Sequence, residues 1–372
     1  MIRAVLVDDE PPARVRMRQL LDAAGGVTVV GEAGSAIEAR HVIRDTRPDL
    51  LFLDVEMPEV RGTALAASLP EPRPFIVFAT AFENYALEAI AVDATDYLLK
   101  PVSRVKLAAT LERVRGRLAK QSELERDVAA GSAVQSQMWP GSLPAVPGFD
   151  CAAASLPARG VGGDFYDMFA LAPLAPLAPL APGSWALLLG DASGKGVAAG
   201  LVASAVQARV HTAARLAGLA PPELMAAVHR DLYGTTDGAR YATAIYATLD
   251  ARTRRLTLVN AGHPDVLVIS GGTLTRLGAS GPALGLMEAG SFSSHQLTLA
   301  PGALLVACTD GVSEALDGAD EEFGDERLAA LVAASGQAPA AELCARILDA
   351  VRLHRGHCQD QDDVTALVVR VQ

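Results

Sequence analysis

The sequence predicts two α/β domains joined by a helical linker, the first a doubly wound parallel sheet and the second an α/β sandwich on antiparallel sheets. Three observations carry this prediction. Over residues 1–102, short apolar runs alternate with segments of helical period, the pattern of a parallel sheet covered on both faces. From residue 103 one helical pattern runs on without a break. Beyond residue 146 apolar alternation dominates, with helical segments set between blocks of strands, as in antiparallel sheets packed under helices. A chain of 372 residues has room for two cores. The expected domains are 1–118 and 146–372, with a linker over 103–145 that overlaps the last helix of the first.

In the first domain, runs 2–7, 27–31, 50–53, 74–79 and 95–99 read as strands, and 11–24, 35–46, 62–69, 83–92 and 103 onward as helices. Ligands of such sheets bind beyond the carboxyl ends of the strands. Asp8, Asp9, Asp54, Thr80 and Lys100 all fall there. Asp54 closes the run Leu50–Leu53, which would hold it rigidly and exposed to a donor. Asp8 and Asp9 supply carboxylates for Mg²⁺, which offsets charge on an incoming phosphoryl group. Lys100 is a point-charge partner for phosphate, and Thr80 offers it a hydroxyl. One Asp at a strand end is ordinarily a turn residue; five such residues in order through a five-strand alternation are not.

Composition narrows the classes of function. The net charge is −11 and no stretch is rich in Lys and Arg, which argues against nucleic acid as a partner. Cys151, Cys308, Cys344 and Cys358 show no C-x-x-C spacing, so a reducing cytoplasm is expected. The N-terminus opens directly into a strand pattern, and no apolar run approaches the ~20 residues that span a bilayer.

In the linker, Ser103 is placed to cap the helix. Leu107, Leu111, Val114 and Leu118 keep a four-three spacing, and Leu124 and Val128 extend it out of register. The pattern suits a helix pairing with a twin in a short coiled coil, and equally a helix packed on its own domain.

In the second domain, strands are expected at 151–156, 185–190, 241–249, 255–260, 265–270, 295–299, 303–308 and 364–371, and helices at 197–216, 222–233, 326–334 and 340–354. Residues 171–182 repeat Leu-Ala-Pro four times, and proline every third residue blocks helix and ladder alike. Four acidic motifs stand beside glycines or turns: Gly163-Asp164-Phe165-Tyr166-Asp167, Gly190-Asp191-Ala192-Ser193-Gly194-Lys195-Gly196, Thr309-Asp310-Gly311 and Asp362-Asp363-Val364-Thr365. Carboxylates gathered at a sheet edge repel one another, and a hard divalent cation relieves that repulsion.

The segment from residue 1 to about 118 resembles the receiver domain of bacterial two-component response regulators, which implies a (βα)5 flavodoxin-like fold. The resemblance implies Asp54 as phospho-acceptor, Asp9 and the Glu56 carbonyl as Mg²⁺ ligands, Asp8 acting through water, and Thr80 and Tyr97 as the pair that rearranges on phosphorylation. Residues 78–101 look closest to receivers joined to a LytTR DNA-binding domain, yet no such domain follows. Gln135-x-x-Met138-x-Pro140, Val161–Asp167, Gly190–Gly196, Asn260-Ala261-Gly262-His263-Pro264, Thr309-Asp310-Gly311-Val312-x-Glu314 and Asp362–Thr365 together resemble the metal-dependent PPM Ser/Thr protein phosphatases of the SpoIIE/RsbU type. That resemblance implies two Mn²⁺ or Mg²⁺ ions bridged by Asp191. Asp164 and the Ala192 carbonyl would complete one site, and Asp310 and Asp362 the other, with Asp363 as the alternative to Asp362. Asp167 and Glu314 are candidates to support the ligands from behind, and Arg159 to meet substrate phosphate, though a solvated loop arginine reads as well. Cys308 and His263 read as structural. His354-x-x-His357-Cys358 lacks the second ligand pair that a zinc site needs.

Together these imply a phosphatase controlled by phosphorylation at Asp54. A sensor histidine kinase would be the donor and a phosphorylated STAS-type anti-sigma factor antagonist the substrate. A homodimer is expected, and neither nucleic acid nor membrane. The competing expectation is an inactive phosphatase-fold adaptor. Such a domain need not keep its carboxylates, and burying them without metal costs several kcal/mol each.

Overall fold

The structure is a computed structural model that describes residues 1–372 except 71, 82–91, 157–159, 172–182, 217, 237 and 357–361. The chain divides into two compact units, Met1–Glu125 and Arg126–Gln372.

The first unit holds β1 (Ile2–Val7), α1 (Pro11–Ala24), β2 (Val27–Ala33), α2 (Ala36–Thr46), β3 (Leu50–Leu53), α3 (Gly62–Ala67), β4 (Phe75–Thr80), β5 (Asp96–Leu99) and the start of α4 (Arg104–Met138). Its strands form one sheet in the order β2-β1-β3-β4-β5, and every pair is parallel. Both faces are buried because the strands are apolar throughout and alternate their side chains. Ala4 and Leu6 join Met17 and Leu21 of α1 and Leu107, Leu111 and Val114 of α4 in one core. Val5 and Val7 join Ala36, Ala39, Leu65 and Ala66 in the other. Ser35 caps α2 by accepting the Glu38 amide, and Ser103 accepts the Lys106 amide at the head of α4. The predicted helix 83–92 lies outside the described residues.

The four-three leucine spacing of the linker belongs first to the first unit. Leu107, Leu111 and Val114 are buried in its core, whereas Leu124 and Val134 are 64% and 61% exposed.

The second unit holds β6 (Phe149–Leu156), β7 (Asp164–Ala170), β8 (Ser184–Ala192), α5 (Val197–Leu216), α6 (Pro221–Thr236), β9 (Ala242–Asp250), β10 (Arg255–Ala261), β11 (Val266–Ser270), β12 (Thr273–Leu277), β13 (His295–Thr298), β14 (Leu304–Cys308), α7 (Asp310–Ser313), α8 (Asp325–Ala333), α9 (Ala340–Arg355) and β15 (Val364–Val371). Two five-stranded sheets form, ordered β13-β10-β9-β8-β7 and β12-β11-β14-β15-β6. Their inner faces share one core, with Leu187, Leu189, Ile245 and Leu258 meeting Val268, Leu305, Leu367 and Val369. Helices α5 and α6 cover the outside of the first sheet, and α8 and α9 the outside of the second. The result is an α/β/β/α sandwich.

Two strands escape the sequence pattern. β7 carries Asp164 and Asp167, a residue type depleted in strands. β12 is polar and largely exposed. Most of the Leu-Ala-Pro repeat lies outside the described residues, between β7 and β8.

Candidate functional site

In the first unit, β1 and β3 pair in parallel with Val7 opposite Leu53, so the residues that follow them emerge at one sheet edge. Asp8, Asp9 and Asp54 bring carboxylate oxygens within 4.8 Å of one another. Lys100 Nζ, one strand-end further on, lies 2.7 Å from Asp8 Oδ2 and 2.5 Å from Asp54 Oδ2. Burial pushes the Asp54 carboxyl above its ordinary range, and the Lys100 ammonium pulls against that. Burial works against the Lys100 charge, but the two carboxylates win and raise it. Thr80 ends β4 at 1% exposure, and its Oγ1 has no hydrogen-bond partner among the described residues. A buried hydroxyl without a partner is uncommon; here it stands at the strand end beside the acids. The Glu56 amide donates to Asp54 Oδ1 at 3.3 Å. Tyr97 sits half-buried opposite Phe78. A Cβ on Gly62 would lie 1.9 Å from the Asp54 carbonyl oxygen, so only glycine lets α3 start against the Asp54 backbone.

In the second unit the acids come from both sheets. β7 and β8 pair with Asp164 directly opposite Asp191, an arrangement that is unfavourable for two like charges. In the other sheet, β14 and β15 pair up to Cys308 opposite Ala366, and the Thr309 amide donates to the Thr365 carbonyl at 3.0 Å. Asp310 follows that point on one strand, and Asp362 and Asp363 precede it on the other. The four motifs therefore meet at one edge of the sandwich.

Charge and burial show how tightly they meet. Burial, then Asp164, Asp310, Asp362 and Asp363, push Asp191 up to about 9. Burial also pushes Asp164 up to about 7, although Thr365 and Thr309 donate to it. Asp310 is raised by burial and by Asp362, with Lys195 pulling the other way. These carboxylates form a wider ring than the trio of the first unit, which among the described residues is the one such group within 4.8 Å.

The scaffold behind the acids went unseen in the sequence. Thr309 Oγ1 and Thr365 Oγ1 donate to Asp164 Oδ2 at 2.8 and 2.5 Å, and the Thr365 amide donates to Thr309 Oγ1 at 3.0 Å. The first residue of Thr-Asp-Gly and the last of Asp-Asp-Val-Thr thus serve the first motif. Asp362 and Asp363 separate clearly. Asp363 is buried and its Oδ2 accepts the Gly163 amide at 2.7 Å. Asp362 faces the ring, half-exposed, 3.3 Å from Lys195 Nζ. A Cβ on Gly163 would meet Asp191 Oδ1 at 2.7 Å and the Ala192 carbonyl oxygen at 2.8 Å. Gln135 of α4 holds the neighbouring peptide by two hydrogen bonds, donating to the Gly162 carbonyl at 2.7 Å and accepting its amide at 3.1 Å.

Several expected roles move. Asp167 does not support the acidic ring. Three residues along a strand reverses the face, and Asp167 pairs with His211 Nδ1 at 3.0 Å on the helix side. Glu314 does lie in the field of the ring, raised by burial and then by Asp310, Glu322 and Asp362. Cys308 is buried in the outer core with its thiol pushed up, as a packed strand residue should be. Burial likewise pushes His263 down to about 3, and it shares a 2.9 Å hydrogen bond with Thr243 Oγ1. His354 binds the Glu321 carbonyl; His357, Cys358 and Arg159 lie outside the described residues.

The donor set fits hard divalent cations. It is all oxygen, carboxylates with one backbone carbonyl, and burial and mutual repulsion push Asp191 and Asp164 above the ordinary carboxylate range. The glycine cradle at Gly163 keeps the Asp191 oxygen and the Ala192 carbonyl open to one another.

Residues 181–372 match the family described as Stage II sporulation protein E (SpoIIE), and residues 4–112 match the response regulator receiver domain. The transcriptional regulatory protein BtsR of Salmonella typhi is 46% identical over 122 residues, 32% of this chain and 51% of that protein. The chain thus spans about half the length of the curated relatives it matches. Among solved structures, the SiaA-PP2C domain of Pseudomonas aeruginosa shares the fold, with a TM-score of 0.58 at 21% identity over 68% of this chain and 99% of that one. The RsbU and RsbW domains of Rv1364c from Mycobacterium tuberculosis give a TM-score of 0.53 at 27% identity, covering 63% of each chain.

Proposed function

We propose, on the premise that this chain belongs to the Stage II sporulation protein E family and carries a response regulator receiver domain, that it is a phosphorylation-controlled phosphoserine/phosphothreonine protein phosphatase. The observation that carries the reading is the convergence of Asp164, Asp191, Asp310 and Asp362 from two sheets at one edge, where burial and mutual repulsion hold Asp191 near 9.

Two Mn²⁺ or Mg²⁺ ions held there would supply Lewis acidity, offsetting charge on phosphoryl oxygens and easing proton loss from an attacking water. Asp191 would be shared between them, with Asp164 and the Ala192 carbonyl on one side and Asp310 and Asp362 on the other. The rest falls to the chain's own groups. Thr309 and Thr365 occupy one oxygen of Asp164 and fix its direction. Asp363 holds the Gly163 turn against Asp191. Lys195, 63% exposed at the rim and 3.3 Å from Asp362, would meet an anionic substrate there.

In the receiver, Asp54 would accept a phosphoryl group from a sensor histidine kinase, with Lys100 and Thr80 meeting its oxygens. One Mg²⁺ would sit among Asp8, Asp9, Asp54 and the Glu56 carbonyl. Phosphorylation would then alter pairing between two chains and the set of α4. The Gln135 amide offers that helix a grip on the Gly162-Gly163 turn. The substrate we infer is a phosphorylated anti-sigma factor antagonist of STAS type in the cytoplasm, a reading supported by the RsbU domain in one structural relative. Among the described residues no helix is long and apolar enough to cross a membrane.

The test is phosphate release from such a phosphoprotein with Mn²⁺ present. The wild-type chain should release it and Asp191→Ala should not. Equal release by the variant would remove the catalytic assignment, and Mn²⁺ binding without any release would favour an inactive adaptor.

A further inference from the structure

Asp310 and Asp362 lie on separate loops, and the ladder that aligns those loops ends before it reaches either. β14 and β15 stop pairing at Cys308 and Ala366, and the last backbone bond between them is that of Thr309 to Thr365. Beyond it, Asp310 opens the short helix α7 and Asp362 lies in irregular chain. The spacing of the two carboxylates therefore needs another source.

Arg355, the last residue of α9, supplies one. Its Nη2 donates to the Gly311 carbonyl at 2.9 Å and to the Asp362 carbonyl at 3.0 Å. One nitrogen with two hydrogens thus bridges the peptide after Asp310 and the peptide of Asp362 itself. The junction is also closed directly, since a Cβ on Gly311 would lie 1.8 Å from the Asp363 carbonyl oxygen. The side chain is half-buried, and its Nε is buried without a partner among the described residues. The guanidinium also feels Asp362, Asp363 and Asp164, so its charge and its geometry act on the same ring.

We propose that Arg355 is a positioning residue for the two-ion centre, tying the Asp310 loop to the Asp362 loop and so setting the spacing of their carboxylates. The inference rests on the two-ion reading above. Charge and geometry predict opposite results. As a charge alone, Arg355 competes with incoming cations, and its removal should tighten Mn²⁺ binding. As a clamp, its removal should weaken binding, by about tenfold, the low end for groups that orient metal ligands. A planar guanidinium reaches two carbonyls from one face, which an ammonium on a flexible stem does less well.

The experiment is calorimetric Mn²⁺ titration of the full chain as wild type, Arg355→Gln, Arg355→Lys and the control Arg352→Gln. Arg352 is 73% exposed and pairs with Asp349 on its own helix. The receiver's own ion is a constant background. Arg355→Gln should bind Mn²⁺ at the second unit about tenfold more weakly, Arg355→Lys should fall between, and the control should match wild type. Equal or tighter binding by Arg355→Gln overturns the proposal. If Arg355→Gln does not fold, Arg355→Lys decides, and wild-type affinity in that charge-conserving variant overturns it equally. Absence of Mn²⁺ binding at the second unit of the wild type would instead sink the two-ion reading.

Discussion

Removing the charge of Asp191 should stabilise the metal-free protein. Its carboxyl is pushed up to about 9, first by burial and then by Asp164, Asp310, Asp362 and Asp363, against about 3.9 in an unfolded chain. A raised folded-state value means that stability is complete below the unfolded value and is lost as pH rises toward the folded one. At pH 7 the loss covers about three pH units at roughly 1.4 kcal/mol each, or about 4 kcal/mol. Asp191→Asn keeps the shape and removes the titration. Even half of that gain would raise the melting temperature of a unit this size by roughly 4–8 °C. The assay is thermal unfolding of wild type and variant in chelator at pH 7 and pH 5, followed by the same scans with Mn²⁺. The variant's second unit should melt higher in chelator, the gap should narrow at pH 5, and Mn²⁺ should raise the melting of the second unit appreciably only in the wild type. A variant that melts lower than wild type in chelator would refute the reasoning, since Asp191 would then not bear the repulsion assigned to it.

Other outcomes follow from single contacts. Gly163→Ala places a methyl 2.7 Å from Asp191 Oδ1, and should cost about 1–3 kcal/mol and lower phosphate release at least about tenfold, measured by urea unfolding and a phosphate assay. Leu111→Ala, at 1% exposure, should cost the receiver about 2–5 kcal/mol, whereas Leu124→Ala, 64% exposed, should change monomer stability by less than about 0.5 kcal/mol. Asp96 is held below its usual range: burial opposes its charge, but hydrogen bonds from Thr110 and Arg113 prevail. Its stabilisation is therefore present above the unfolded value and lost as pH falls through the folded one. Asp96→Asn should cost about 0.5–1 kcal/mol at pH 7 at this partly solvated pair, and the deficit should shrink below pH 4 in denaturant titrations.

Much of this was legible because the chemistry sits where periodicity is plain. Strand-helix alternation placed Asp8, Asp54, Thr80 and Lys100 at strand ends, and the parallel register brings them together. The acids of the second unit were legible as motifs, but which strands carry them was not: β7 hides behind its two aspartates. The face of a side chain was the commonest loss. Asp167 shares a motif with Asp164, yet three residues of strand turn it toward His211. Long-range partners left no local trace at all. Nothing near residue 355 in the sequence points to Gly311, and Thr365 reads as the end of a motif rather than as a donor to Asp164. Asp362 and Asp363 look alike in the sequence, and what distinguishes them is a distant partner, the Gly163 amide that donates to Asp363.

The central claim is that carboxylates from both sheets of the second unit form one centre for two ions. Electron paramagnetic resonance of the full chain with Mn²⁺ tests it most directly, because two ions sharing Asp191 couple and an isolated receiver ion does not. A coupled-pair spectrum that disappears in Asp191→Asn, leaving the isolated signal, is the predicted result. Only isolated Mn²⁺ in the wild type, or a coupled pair that survives in Asp191→Asn, would contradict it.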